Sequence, residues 1–122
     1  MIVLQSGEDP WYDADKLCWL IKAIHEKEKR SLLFLSIGDR DYATYKKLYK
    51  AGARGSLYRF ETSNMELYKK LHPGCNLEDR IKHIQFMKEI GYLVASGPIV
   101  GLPGQSYESL LNDIYLMRDL KV

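Results

Sequence analysis

Residues 32–60, LLFLSIGDRDYATYKKLYKAGARGSLYRF, decide the fold. They open with an apolar run, Leu32 to Leu35 with Ile37 beyond, bounded by Gly38-Asp39-Arg40 and short enough to read as a strand. Tyr42, Tyr45, Leu48 and Tyr49 then recur at helical spacing, and Gly52 stands where a helix end takes a glycine cap. A second extended run, Ser56 to Phe60, follows at once. Strand, amphipathic helix and strand within about 30 residues make a βαβ unit, whose crossover forces the two strands to run parallel.

The alternation continues on both sides. Met1 to Leu4 reads as a strand, followed by a helix with Leu17, Leu20, Ile21 and Ile24 on one face and Asp13 as its N-cap. After Phe60 comes a short helical stretch over 65–71, then a longer helix capped by Asn76 with Leu77, Ile81, Ile84 and Met87 on one face. Gly91 ends that helix, and Tyr92 to Ala95 forms a fourth strand. Ser106 caps a last helix, whose buried side is expected to hold Tyr107, Leu110, Leu111, Ile114 and Met117. The expected architecture is α/β, with about four parallel βα units in one domain over residues 1–122. A closed barrel of such units has eight strands, and four leave two open edges. An incomplete barrel, a half-barrel pairing with another copy and an open sheet are the three solutions; the first is favoured.

Bulk composition removes several function classes. Of 122 residues, 46% are hydrophobic and 28% charged, which argues against disorder. The 18 basic and 16 acidic side chains are interleaved, so no basic patch marks a nucleic-acid partner. No apolar stretch reaches the roughly 20 residues of a membrane helix, and no leader precedes the first strand. Two cysteines, Cys18 and Cys75, stand far apart with no metal-type spacing, which points to a cytoplasmic protein with reduced, structural thiols. His25, His72 and His83 form no ligand pair; His25 and His83 read as helix-surface residues and His72 as a loop residue.

In parallel α/β folds, ligands meet the carboxyl ends of strands. The four loops there are polar or glycine-rich: Gln5-Ser6-Gly7-Glu8-Asp9, Ser36-Ile37-Gly38-Asp39-Arg40, Arg59-Phe60-Glu61-Thr62-Ser63 and residues 97–105, GPIVGLPGQ. Carboxylates at Glu8, Asp9 and Glu61 accept hydrogen bonds from an ammonium or from sugar hydroxyls, and guanidinium groups at Arg59 and Arg80 grip a carboxylate. Such a rim suits a zwitterionic ligand bearing vicinal hydroxyls. The Gly101–Gly104 stretch is no phosphate loop, because no Gly-Lys-Ser/Thr follows it, and no Gly-X-Ser-X-Gly elbow is present.

In this order the loops resemble those of the radical S-adenosylmethionine superfamily, in its biotin-synthase-like branch, and most of all the iron–iron hydrogenase active-site maturases (HydE-like). Ser6-Gly7-Glu8 resembles the motif that borders the methionyl amino group, with Ser6 in place of a glycine. Arg59-Phe60-Glu61-Thr62 resembles the ribose motif, which gives Glu61 the ribose hydroxyls. Arg80 matches the arginine on the cofactor carboxylate, and Gly97-Pro98-Ile99-Val100-Gly101 the adenine motif, with Ile99 as ring contact. Pro98 is unusual there, and the motif's terminal glutamate is replaced by a Gly-Leu-Pro-Gly-Gln form.

The resemblance implies a TIM-type barrel running here from its second strand to its fifth helix, without the cluster-binding strand or the closing strands. It also implies two cofactors, S-adenosylmethionine and a four-iron four-sulfur cluster. The Cys-x3-Cys-x2-Cys ligands of that cluster are absent from this chain, so it supplies no metal ligand and no catalytic residue and is expected to be inactive alone. The implied activity of the intact enzyme is reductive cleavage of S-adenosylmethionine to a 5′-deoxyadenosyl radical, in hydrogenase maturation. The implied partners are the small-molecule cofactor and substrate, and the remainder of the barrel or a second copy. Biotin synthase, methylornithine synthase and a non-catalytic α/β nucleoside-binding module are the alternatives.

Overall fold

A computed structural model describes residues 1–122. Nine elements alternate along the chain: β1 (Ile2–Gln5), α1 (Ala14–Lys27), β2 (Leu33–Ser36), α2 (Tyr42–Ala51), β3 (Gly55–Leu57), α3 (Met65–Leu71), α4 (Leu77–Glu89), β4 (Leu93–Ala95) and α5 (Tyr107–Leu120). The strands form one sheet in the order β1-β2-β3-β4. Leu4 pairs with Leu35 and Leu35 with Ser56, both in parallel register, as the crossovers require. This is the parallel α/β fold expected from the sequence.

The chain divides into two compact units. The first comprises Met1–Leu57 with Phe86–Val94, the second Tyr58–Gln85 with Ala95–Val122. In the first, Leu33 and Leu35 are buried along with Leu17 and Ile21 of α1 and Tyr45 and Leu48 of α2. Apolar groups at every second strand position and every third or fourth helix position leave water together. Asp13 caps α1 by accepting from the Lys16 amide at 2.9 Å, and the Lys16 ammonium bonded to the same side chain holds its carboxyl below the usual range. Gly52 ends α2 at φ 125°, a conformation that disfavours any side chain. The Tyr92 hydroxyl donates to the Tyr45 carbonyl at 2.9 Å, and burial pushes its phenol pKa up.

In the second unit, Tyr58, Phe60, Leu67, Tyr68, Leu77 and Ile84 are buried. Asn64 caps α3, and the Asn76 side chain accepts from the Asp79 amide at 2.8 Å at the start of α4. Two expectations are corrected here. The third strand stops at Leu57 rather than Phe60: the Phe60 amide donates to the Ser96 hydroxyl at 3.2 Å, a side-chain bond in place of a ladder rung. Helix α5 buries the face its apolar periodicity marks only in part, with Leu110 and Met117 half-buried and Leu111 exposed. Tyr107 is 93% and Ile114 60% exposed, while Ser109, Asp113 and Leu120 are buried. The buried side of α5 carries a hydrogen-bonded carboxylate, Asp113, whose Oδ1 accepts from the Ser63 amide and hydroxyl.

No helix is long and apolar enough to cross a membrane.

Candidate functional site

In the first unit, the turn after β1 carries Ser6, Gly7 and Glu8. The Ser6 amide prolongs the ladder by donating to the Ser36 carbonyl at 3.2 Å, and Gly7 then reverses the chain at φ 63°. Glu8 leans on the loop after β2. A Cβ at Gly38 would stand 2.1 Å from Glu8 Cγ, so glycine is the residue that admits the carboxylate there. The Asp39 amide donates to Glu8 Oε1 at 3.4 Å, and Arg40 donates to the Asp9 carbonyl at 3.0 Å. The loops after β1 and β2 are thus interlocked, with Glu8 and Asp9 both engaged.

The second unit brings Arg59, Glu61, Arg80, Gly97 and Ile99 together. Glu61 pairs with one stretch of backbone on both sides of Pro98: its amide donates to the Gly97 carbonyl at 3.1 Å, and its carbonyl accepts from the Ile99 amide at 2.8 Å. A parallel bridge pairs Glu61 with Pro98. To make both bonds Glu61 adopts φ 70°, one of two non-glycine residues in the left-handed region. That conformation costs an L-residue on the order of 1–2 kcal/mol, so the surrounding bonds must over-determine it.

Around Glu61 the polar groups are fixed in turn. Arg80 stands over the Tyr58 ring, its guanidinium carbon 3.8 Å from the centroid, and its Nε donates to the Arg59 carbonyl at 2.8 Å. Arg59 itself donates to the Pro98 carbonyl at 2.5 Å, which turns its side chain towards the loop after β4.

Sequence reasoning missed two participants. His72, read as a loop residue, places Nε2 2.8 Å from Glu61 Oε2 while its amide closes α3 on the Tyr68 carbonyl. The carboxylate accepts, so the ring donates. Gln105 stitches the loop after β4: Oε1 accepts from the Gly101 amide at 2.8 Å, and Nε2 donates to the Ile99 carbonyl at 2.8 Å. No spacing rule announces either contact, since both join residues through a turn. His83, read as a surface residue, instead brings its ring 5.5 Å from that of Tyr58.

The donor set fits one of the implied cofactors and not the other. A carboxylate, a flat guanidinium and the apolar Ile99 side chain offer acceptor, anion grip and ring contact, the needs of an adenosylated amino acid. The cluster finds no such set: no three His, Cys, Asp or Glu side chains gather to hold a metal ion. Cys18 is buried on α1, where desolvation raises its thiol pKa, and Cys75 is exposed after α3.

A run of parallel βα units with polar loops at the carboxyl ends of its strands defines a barrel segment of the ligand-binding kind. No family model matches the chain. It is 39% identical over 118 residues to the [FeFe] hydrogenase maturase subunit HydE of Thermotoga maritima, covering 97% of this chain and 33% of that protein. It is 32% identical over 120 residues to 3-methylornithine synthase of Methanosarcina acetivorans, covering 97% and 34%. The crystal structure of methylornithine synthase (PylB) superposes with a TM-score of 0.91 at 31% identity, over 98% of this chain and 36% of that one. Its homologues thus include HydE, 3-methylornithine synthase and biotin synthase, and its structural neighbours are radical S-adenosylmethionine enzymes. It spans about a third of the length of the curated relatives it matches.

Proposed function

We propose that the whole protein carrying this chain binds S-adenosylmethionine and, with a four-iron four-sulfur cluster, cleaves it reductively to a 5′-deoxyadenosyl radical in maturation of an iron–iron hydrogenase. The chain's own part is to bind and orient. Glu61 accepts the ribose hydroxyls, Arg80 grips the carboxylate, and Gly97 and Ile99 face the adenine. Ile99 does so through its side chain, because its amide and carbonyl are already bonded within the loop. Arg59 reaches the cofactor only by releasing Pro98.

The observation that carries this reading is the left-handed Glu61, locked between Gly97 and Ile99. A strained acidic residue at the mouth of a parallel sheet is expected where a ligand needs its carboxylate. The kinship with HydE supports the maturation role. Methylornithine synthesis is a second reading, supported by the 0.91 TM-score to PylB, and it changes the substrate but not the cofactor. In either case residues 1–122 are one incomplete barrel domain of a cytoplasmic enzyme. Its open strand edges meet the remainder of the barrel or a second copy, and the chain alone performs no cleavage because the thiolates of the cluster lie outside it.

Calorimetric titration of S-adenosylhomocysteine tests the binding roles. Glu61→Gln and Arg80→Ala should each weaken binding tenfold or more, about 1.4 kcal/mol. Equal affinity in both variants and the parent would remove the assignment.

A further inference from the structure

We infer that Asp113 is a positioning residue, holding the loops after β3 and β4 in register around the nucleoside end of the cofactor; this rests on the reading above. Asp113 projects from α5 and is 0% exposed, an unusual place for a carboxylate unless every lone pair is used. Oδ1 accepts from the Ser63 amide at 2.5 Å and from the Ser63 hydroxyl at 2.6 Å. Oδ2 lies 3.4 Å from Gln105 Nε2. Ser63 stands two residues after Glu61, and Gln105 Nε2 also donates to the Ile99 carbonyl at 2.8 Å. The Ile99 amide donates in turn to the Glu61 carbonyl at 2.8 Å.

The bonds therefore close a circuit, running Asp113, Ser63, Glu61, Ile99, Gln105 and back to Asp113. It joins the residue proposed for ribose to the residue proposed for adenine without itself touching either group. The same circuit engages the buried side of α5, where Asp113 faces inward and Ile114 lies outside. Where the wider motif ends in glutamate, Gln105 has an amide to offer both Ile99 and Asp113; a carboxylate there would face a carbonyl and a second carboxylate with no proton to share. Glutamine at 105 and aspartate at 113 are complementary choices.

The test uses the full chain with Asp113→Ala, Asp113→Asn and Gln105→Ala, read by amide hydrogen exchange and by titration with S-adenosylhomocysteine, adenosine and methionine. Asp113→Ala should speed exchange at the Glu61 and Ile99 amides at least tenfold while Leu35 in β2 stays within twofold. It should weaken S-adenosylhomocysteine and adenosine tenfold and leave methionine unchanged. Asp113→Asn keeps the Ser63 acceptor but sets its amide against that of Gln105, and should fall between. If Asp113→Ala unfolds, Asp113→Asn and Gln105→Ala carry the same comparison. Unchanged exchange at Glu61 and Ile99 would overturn the inference, as would an equal loss of adenosine and methionine. A parent chain that binds neither S-adenosylhomocysteine nor adenosine would instead overturn the proposed function and the nucleoside assignment with it, while the exchange data still decide whether Asp113 holds the loops.

Discussion

Glu61 shows how one backbone angle links local strain to a ligand. Its φ of 70° is paid for by bonds to Gly97 and Ile99, and its side chain meets His72 at 2.8 Å. Glu61→Ala and Glu61→Gly remove the same carboxylate and the same histidine contact, so they differ only in tolerance of the left-handed region. Glycine should leave the protein more stable than alanine by about 1 kcal/mol in urea unfolding. Both should lose S-adenosylhomocysteine affinity alike. Alanine equal to or more stable than glycine would show that the turn relaxes and stores no strain. Glu61 was legible in the sequence as an acidic residue after a parallel strand; its conformation was not, because Thr62 and Ser63 give no turn signature and the angle is imposed by a partner some 36 residues on, at Gly97.

Helix α5 marks where pattern reading fails. Period and cap were right: Ser106 accepts from the Ser109 amide at 3.1 Å and the helix begins at Tyr107. The apolar face holds only in part: Leu110 and Met117 are half-buried, Ile114 is exposed, and Asp113, on which the periodicity is silent, is buried with hydrogen bonds to distant loops. Ile114→Lys should then change stability by no more than about 0.5 kcal/mol. Leu120→Ala, at a buried position of the same helix, should cost roughly 2–5 kcal/mol. A large loss from Ile114→Lys would restore the apolar face. Helices α1, α2 and α4 were legible because Leu17, Leu48 and Ile84 are buried as their spacing predicts. In α2 that burial also fixes an acid–base property: the Tyr45 carbonyl holds the Tyr92 hydroxyl, whose pKa is raised above 10.0 mainly by desolvation. The folded state therefore binds the proton more tightly than the unfolded state. Stability is full below pH 10 and declines as pH rises beyond it towards the folded pKa. Tyr92→Phe should lower stability near neutrality through the lost bond, yet flatten the alkaline decline measured in a pH series of urea melts.

At the scale of the molecule, the sheet order predicts association. β1 and β4 lie at the ends of the order β1-β2-β3-β4, so each has backbone donors and acceptors on one side with no strand to meet them. The strands also keep apolar side chains in water: Val3 is 46%, Leu57 43% and Leu93 55% exposed. Val3 shares its face with Phe34 and Gly55 by register, the face opposite to buried Leu33 and Leu35. A barrel would turn that face to its interior, where it would be covered. Left open, it is expected to draw copies together by the same burial that would close a barrel. The isolated chain should sediment as concentration-dependent oligomers, and Val3→Lys with Leu93→Lys should shift it towards monomer without loss of helical circular dichroism. Charge at those positions opposes both edge pairing and face-to-face packing. A parent chain that stays monomeric across micromolar to millimolar concentrations would mean that these exposed side chains do not suffice to join two copies.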